Sequence, residues 1–108
     1  MKVDVSKGFE LGSYHYKVLQ SNEVEKGLEG DNAYGKCSNL HRQILMTKNF
    51  SPDQFCNTFI HECLEAVNNI YCNNNMKHDL LSNTGNGLSQ ILKSLGISFY
   101  YGGNNGNK

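Results

Sequence analysis

The chain has 108 residues, and its ten Lys/Arg and ten Asp/Glu side chains cancel to a formal net charge of zero. That length limits it to one domain with a modest core and no deep interdomain cleft, so any active site must be shallow. Balanced charge without a basic cluster or stripe gives no indication of a phosphate-tracking nucleic-acid surface, and no apolar run approaches the roughly 20 residues of a membrane-spanning helix.

In chain order, Met1 to Gly12 offers one short strand or a loose arm. Tyr14-His15-Tyr16-Lys17-Val18-Leu19 alternates and is rich in aromatic and branched side chains, which predicts a strand. Residues 21–35 carry Gly27, Gly30, Asp31-Asn32 and Gly35 among Glu and Lys, the composition of a connection. A second strand is predicted at about 40–47, where His41, Gln43, Leu45 and Thr47 face opposite to Leu40, Arg42, Ile44 and Met46. Neither face is cleanly apolar, which suits the edge of a sheet.

Ser51-Pro52-Asp53-Gln54 then supplies an N-cap Ser, Pro at the first helical position and Gln three residues after the cap, a strong start for a helix over 52–71. At 100° per residue, Phe55, Phe59, Cys63, Ala66, Val67 and Ile70 form one apolar arc, with Glu62 at its edge and His61 and Glu65 together on the far side. A second helix over about 78–95 is marked by Leu81, Thr84, Leu88, Ile91, Leu92 and Leu95, with Gly85 and Gly87 as weak points that permit close packing. Residues 97–101 predict a last short strand, and Gly102 to Lys108 a disordered tail. The expected fold is α+β, a small antiparallel sheet packed on two helices, with one domain over 1–101 and a disordered tail over 102–108.

Cys37, Cys56, Cys63 and Cys72 are an even set, yet no secretory leader is evident, the last three share one helical pattern, and no Cys-x-x-Cys pair occurs. Free thiols in a reducing cytoplasm are the expectation, with neither disulfides nor a structural zinc ribbon.

The chemistry gathers at His61-Glu62-Cys63-Leu64-Glu65. A His and a carboxylate four residues apart share a helix face and can grip one metal ion, leaving Glu62 free as a general base. This is the HExxH zinc-peptidase helix with Glu in place of the second His, a replacement that zinc accepts. A catalytic zinc needs three protein ligands and an open position. After Glu65 the available donors are Cys72, His78 and Asp79, while His41 or His15 could arrive on a strand laid across the helix. His61, Glu65 and His78 would supply two imidazoles and a carboxylate, although a tight antiparallel helix pair sets His78 roughly 7 Å along the axis from Glu65. The plain alternative is an i,i+4 pair of His61 and Glu65 on a solvated face, stabilising by tenths of a kcal/mol, with His78 a surface residue at a helix start.

Phe59-Ile60-His61-Glu62-Cys63-Leu64-Glu65-Ala66-Val67-Asn68, then His78-Asp79, then Leu88-Ser89-Gln90-Ile91-Leu92, together resemble the small phage- and prophage-encoded minimal zincin-like proteins with an HExxE or HExxH helix, distantly similar to the ImmA/IrrE and SprT metallopeptidase groups. Gly35-Lys36-Cys37 resembles the strand segment that leads toward the motif helix in that family, and the resemblance covers roughly residues 14–95. It implies a zinc-binding fold in which His61 and Glu65 match ligand positions, Glu62 matches the base, and His78 matches a His that recurs at the start of the second helix. The departure lies downstream, where related sequences often carry an acidic residue and this chain has Ser82-Asn83-Thr84-Gly85-Asn86.

Residues and resemblance together point to a zinc-dependent metallopeptidase-like phage or prophage protein in the cytoplasm of a bacterial host. Metal-activated water would hydrolyse a peptide bond with Glu62 as base and zinc on His61, Glu65 and His78. Its partner would be a protein or peptide, with neither nucleic acid nor membrane involved. Two other classes compete: a non-catalytic zincin-fold protein that binds another protein without metal, and a helix-hairpin module, dimeric through apolar surface that so small a sheet leaves uncovered.

Overall fold

Each of the two long periodic segments folds as a helix, and the first starts where its boundary residues place it. In the computed structural model, which describes residues 1–48 and 50–103, the elements run β1 (Lys2–Asp4), β2 (Phe9–Leu11), β3 (Tyr14–Leu19), α1 (Asn22–Gly30), β4 (Gly35–Ser38), β5 (Gln43–Met46), α2 (Pro52–Tyr71), α3 (His78–Ser94) and β6 (Ser98–Tyr100). The capping box at Ser51 forms in full: its hydroxyl accepts from the Gln54 amide, and the Gln54 side chain accepts from the Ser51 amide at 3.0 Å.

The fold is α+β, but the sheet is mixed rather than antiparallel. Four strands run in the order β2-β3-β5-β4, and β1 pairs with β6 in a separate two-stranded sheet. β2 and β3 form an antiparallel hairpin, β4 and β5 are antiparallel, and β3 and β5 are parallel neighbours, as are β1 and β6. Parallel neighbours need a crossover between them, and α1 supplies part of the one joining β3 to β5.

That helix corrects the reading of residues 21–35 as connection. Ser21 caps it by accepting from the Val24 amide at 3.2 Å, Glu23 and Glu25 sit in its first turn, and Leu28 is fully buried. Two glycines masked a helix whose cap and acidic first turn were both present in the sequence. A second correction concerns 40–47. The strand is the shorter β5 and lies inside the sheet, with Ile44 and Met46 fully buried. Arg42, just before it, has a left-handed φ of 55°, so the strand starts after that turn, and the outer position falls to β4.

α2 lays Phe55, Phe59 and Ala66 into a core shared with Tyr16, Val18, Ile44 and Met46. α3 packs on α2 through Leu81 and Gly85, both buried. A Cβ added at Gly85 would stand 3.5 Å from Leu64 Cδ1 and 3.8 Å from His61 Cα, so this glycine brings the α3 backbone close to the motif. No helix among the described residues is long and apolar enough to cross a membrane. At the C-terminal end the Gly102 amide donates to Asp4 Oδ1 at 2.8 Å; of the expected disordered tail, residues 104–108 lie outside the described residues.

Candidate metal centre

His61, Glu62 and Glu65 occupy the middle of α2. The i,i+4 spacing places His61 Nε2 3.6 Å from Glu65 Oε2, both side chains half-buried. His78, the first residue of α3 and itself exposed, brings its ring to a centroid distance of 5.7 Å from that of His61, at 67° between planes. One ligand atom from each of His61, Glu65 and His78 lies within 4.8 Å of the other two. Three donors bound tetrahedrally at about 2.1 Å from a zinc are roughly 3.4 Å apart. The His61–Glu65 pair already has that separation, and small rotamer shifts would close the rest. Two imidazoles and one carboxylate are a donor set that suits zinc.

The expected axial offset of His78 is overcome by the turn between the helices. Asn73 and Asn74 both take left-handed backbone, with φ of 56° and 58°, a conformation that Asn tolerates better than most residues. The chain thereby reverses over α2, and the Asn74 amide bonds Asn68 O at 2.9 Å. Buried Asn68 then clasps Met76 from both sides: its Oδ1 accepts from the Met76 amide at 2.9 Å and its Nδ2 donates to the Met76 carbonyl at 3.1 Å. Met76 is pinned beside Asn68, three residues from Glu65, so α3 starts near the level of the motif. We expect Asn68→Ala to cost about 1–3 kcal/mol from two lost buried hydrogen bonds, read as a fall in the urea midpoint, and to weaken metal retention through His78 while His61 and Glu65 stay in place.

Glu62 points away from the solvated side and is only 9 % exposed. Burial pushes its carboxyl up to about 7, the Glu65 carboxylate adds to the rise, and a hydrogen bond from the Cys37 backbone opposes it. A carboxyl poised there is matched to proton transfer near neutral pH. Beside it lies a shallow cleft of about 220 Å³ lined by Tyr34, Gly35, Asn57, Thr58, His61 and Glu62. Thr58 and Asn57 precede Glu62 and His61 by four residues each, so helical spacing alone could have added both to the candidate list; Tyr34 arrives with β4 and had no sequence signal.

The open edge of β4 faces this cleft. The Thr47 amide bonds Tyr34 O at 2.9 Å, which makes Lys36 and Ser38 the residues that exchange bonds with Leu45 and Gln43. Antiparallel alternation turns the backbone groups of Gly35 and Cys37 outward, consistent with the Cys37 contact to Glu62. The alternative third ligands are placed elsewhere. His15 pairs with Glu10 across the β2–β3 hairpin, His41 lies in the β4–β5 turn, Cys72 caps α2, and Asp79 sits in the first turn of α3. Among the described residues, His61, Glu65 and His78 are the group of three placed to share an ion. The four cysteines are free thiols. Burial first, then nearby Glu62, pushes Cys37 up to about 12, and burial followed by Cys37 and Glu62 pushes Cys63 up to about 12, so neither is a thiolate at neutral pH.

No family model matches this chain, and neither the curated proteins nor the solved structures contain a match to it.

Proposed function

We propose that this protein is a minimal zincin-like metallopeptidase of phage or prophage type that hydrolyses a peptide bond, with zinc held by His61, Glu65 and His78. The observation that carries this is the approach of those three side chains, from two helices, to within 4.8 Å of one another. A bound zinc supplies Lewis acidity, polarising the scissile carbonyl and easing deprotonation of water. Glu62 takes the proton of the attacking water and returns it to the leaving amine nitrogen, a transfer for which a carboxyl near pH 7 is suited. The outward backbone of Gly35 offers an extended peptide main-chain hydrogen bonds, the Cys37 amide being engaged by Glu62, and the cleft at Asn57 and Thr58 receives the peptide beside the base. A bacterial cytoplasm, where free thiols persist, is the setting that fits these side chains.

The test is elemental analysis after zinc loading and extensive dialysis. The parent is expected to retain about one zinc per chain, and His61→Ala and Glu65→Ala to lose it. Glu62→Gln is expected to keep the metal and abolish cleavage in a peptide screen. A parent chain that retains no zinc would sink this reading and favour a metal-free protein-binding role, with His61 and Glu65 an ordinary helix pair.

A further inference from the structure

α3 carries more apolar surface than α2 covers. Leu81 and Gly85 face α2, but the adjoining stripe is open: Leu80 is 57 % exposed, Leu88 37 %, Ile91 57 % and Leu95 69 %. Thr84 and Gly87 complete that stripe, and Leu80, Thr84, Gly87, Leu88, Ile91 and Leu95 lie within about 100° of helix circumference at 100° per residue. None of them is charged. Together the four aliphatic residues expose the equivalent of about two whole side chains, on the order of 300–400 Å², the size at which a patch on a monomer is commonly functional.

The order of residues along the stripe identifies what fits it. Leu80 and Leu95, Thr84 and Ile91, and Gly87 and Leu88 are placed symmetrically about the midpoint between 87 and 88. Two copies of α3 related by a two-fold axis through that midpoint would run antiparallel, with Leu80 against the Leu95 position, Thr84 against Ile91, and Leu88 against Gly87. A Cβ added at Gly87 would meet nothing within 4 Å, so this glycine leaves a hollow in the stripe where a leucine can seat. Residue i meeting j while j meets i is the condition of an isologous interface, and antiparallel helix dipoles favour the arrangement. The stripe counted from both copies, with its polar flanks, reaches roughly 1,200 Å², the lower end of specific interfaces.

We propose that this chain self-associates as a two-fold dimer through antiparallel α3 helices, centred on Gly87 and Leu88. The interface is independent of bound metal. Each motif lies toward one end of the paired helices, because His78 opens α3.

Sedimentation velocity on the full chain, from micromolar to millimolar, tests this. The 12.1 kDa chain is expected to sediment at twice its mass at the upper concentrations. Leu88→Asp and Ile91→Asp, and the milder Leu88→Gln, should weaken association at least tenfold while helical circular dichroism is retained; Asn86→Asp, exposed on the opposite side of the helix, should leave it unchanged. Register is read by mixing Leu80→Cys and Leu95→Cys chains under mild oxidation: the mixture should cross-link more strongly than either chain alone or the parent. A parent monomeric at millimolar concentration, or a dimer indifferent to the stripe substitutions, would overturn the proposal. Equal cross-linking of Leu80→Cys with itself would overturn the antiparallel register.

Discussion

Metal-free protein is expected to lose stability as pH rises from about 4.5 to about 7, and Glu62→Gln to remove that loss. The Glu62 carboxyl is raised from its ordinary 4.5 to about 7, chiefly by burial and then by the Glu65 carboxylate. Between those values the unfolded chain has released the proton while the folded chain still holds it, so the unfolded state binds fewer protons and unfolding becomes easier with each step in pH. Below 4.5 both states are protonated, above 7 both are ionised, and the curve is flat at each end. The span corresponds to about 3 kcal/mol, or roughly 10–20 °C in Tm for a domain of this size. Thermal melts of the parent and Glu62→Gln in chelator, across pH 4–8, isolate the contribution by difference. Parallel curves for the two would show that Glu62 is solvated and would remove the basis for its role as a tuned base. Zinc at the neighbouring ligands should shrink the slope, because a nearby cation favours the ionised carboxylate.

Gly35→Val is expected to destabilise the protein by about 1–3 kcal/mol, the range for forcing extra volume into a packed contact. Gly35 has no left-handed φ, so its backbone accepts a side chain and β-propensity favours valine; the penalty is contact alone. An added Cβ would stand 2.6 Å from Thr58 Cγ2 and 3.3 Å from both Glu62 Cγ and the Leu45 carbonyl oxygen. The nearest of these is the methyl of a β-branched residue, stiff at χ1. Thr58→Ala removes it, so the double variant should regain most of the lost stability, and the pair should couple strongly in a double-mutant cycle. Urea midpoints of the four proteins measure this. Additive effects would mean that β4 does not press on α2 at the cleft.

Much of the scaffold was legible because its signals are local. Ser51, Pro52 and Gln54 mark the start of α2, the apolar spacing carries both long helices, and His61 and Glu65 meet because they stand four residues apart on one helix. What was missed depends on contacts distant in sequence. α1 looked like a connection because Gly27 and Gly30 weigh against a helix taken alone, whereas the burial of Leu28 in the tertiary structure overrides that propensity. The inner position of β5 follows from pairing with β3 across a crossover, which alternation within residues 40–47 does not encode. The approach of His78 rests on Asn68 reaching Met76, and an asparagine inside a helix gives no hint of what its amide will bond. Sequence suggested the donors; the turn brings the third one into reach.

The pairing of β1 with β6 joins Lys2 to Ser98, Val3 to Phe99 and Asp4 to Tyr100. Closing a loop of nearly the whole chain costs more entropy than any hairpin here, and it is repaid by a short two-stranded ribbon and by the packing of Val5 and Phe99 against the core. This closure should therefore come late in folding, after α2 has settled on the β2–β5 sheet. Cys56 then holds the arriving strand, its sulfur accepting from the Phe99 amide at 3.1 Å. The same economy runs in reverse: sub-global opening should begin at this seam, and in a hydrogen-exchange experiment the amides of Val5 and Ser98, bonded across it to Tyr100 and Met1, are expected to exchange with solvent well before those in the middle of α2.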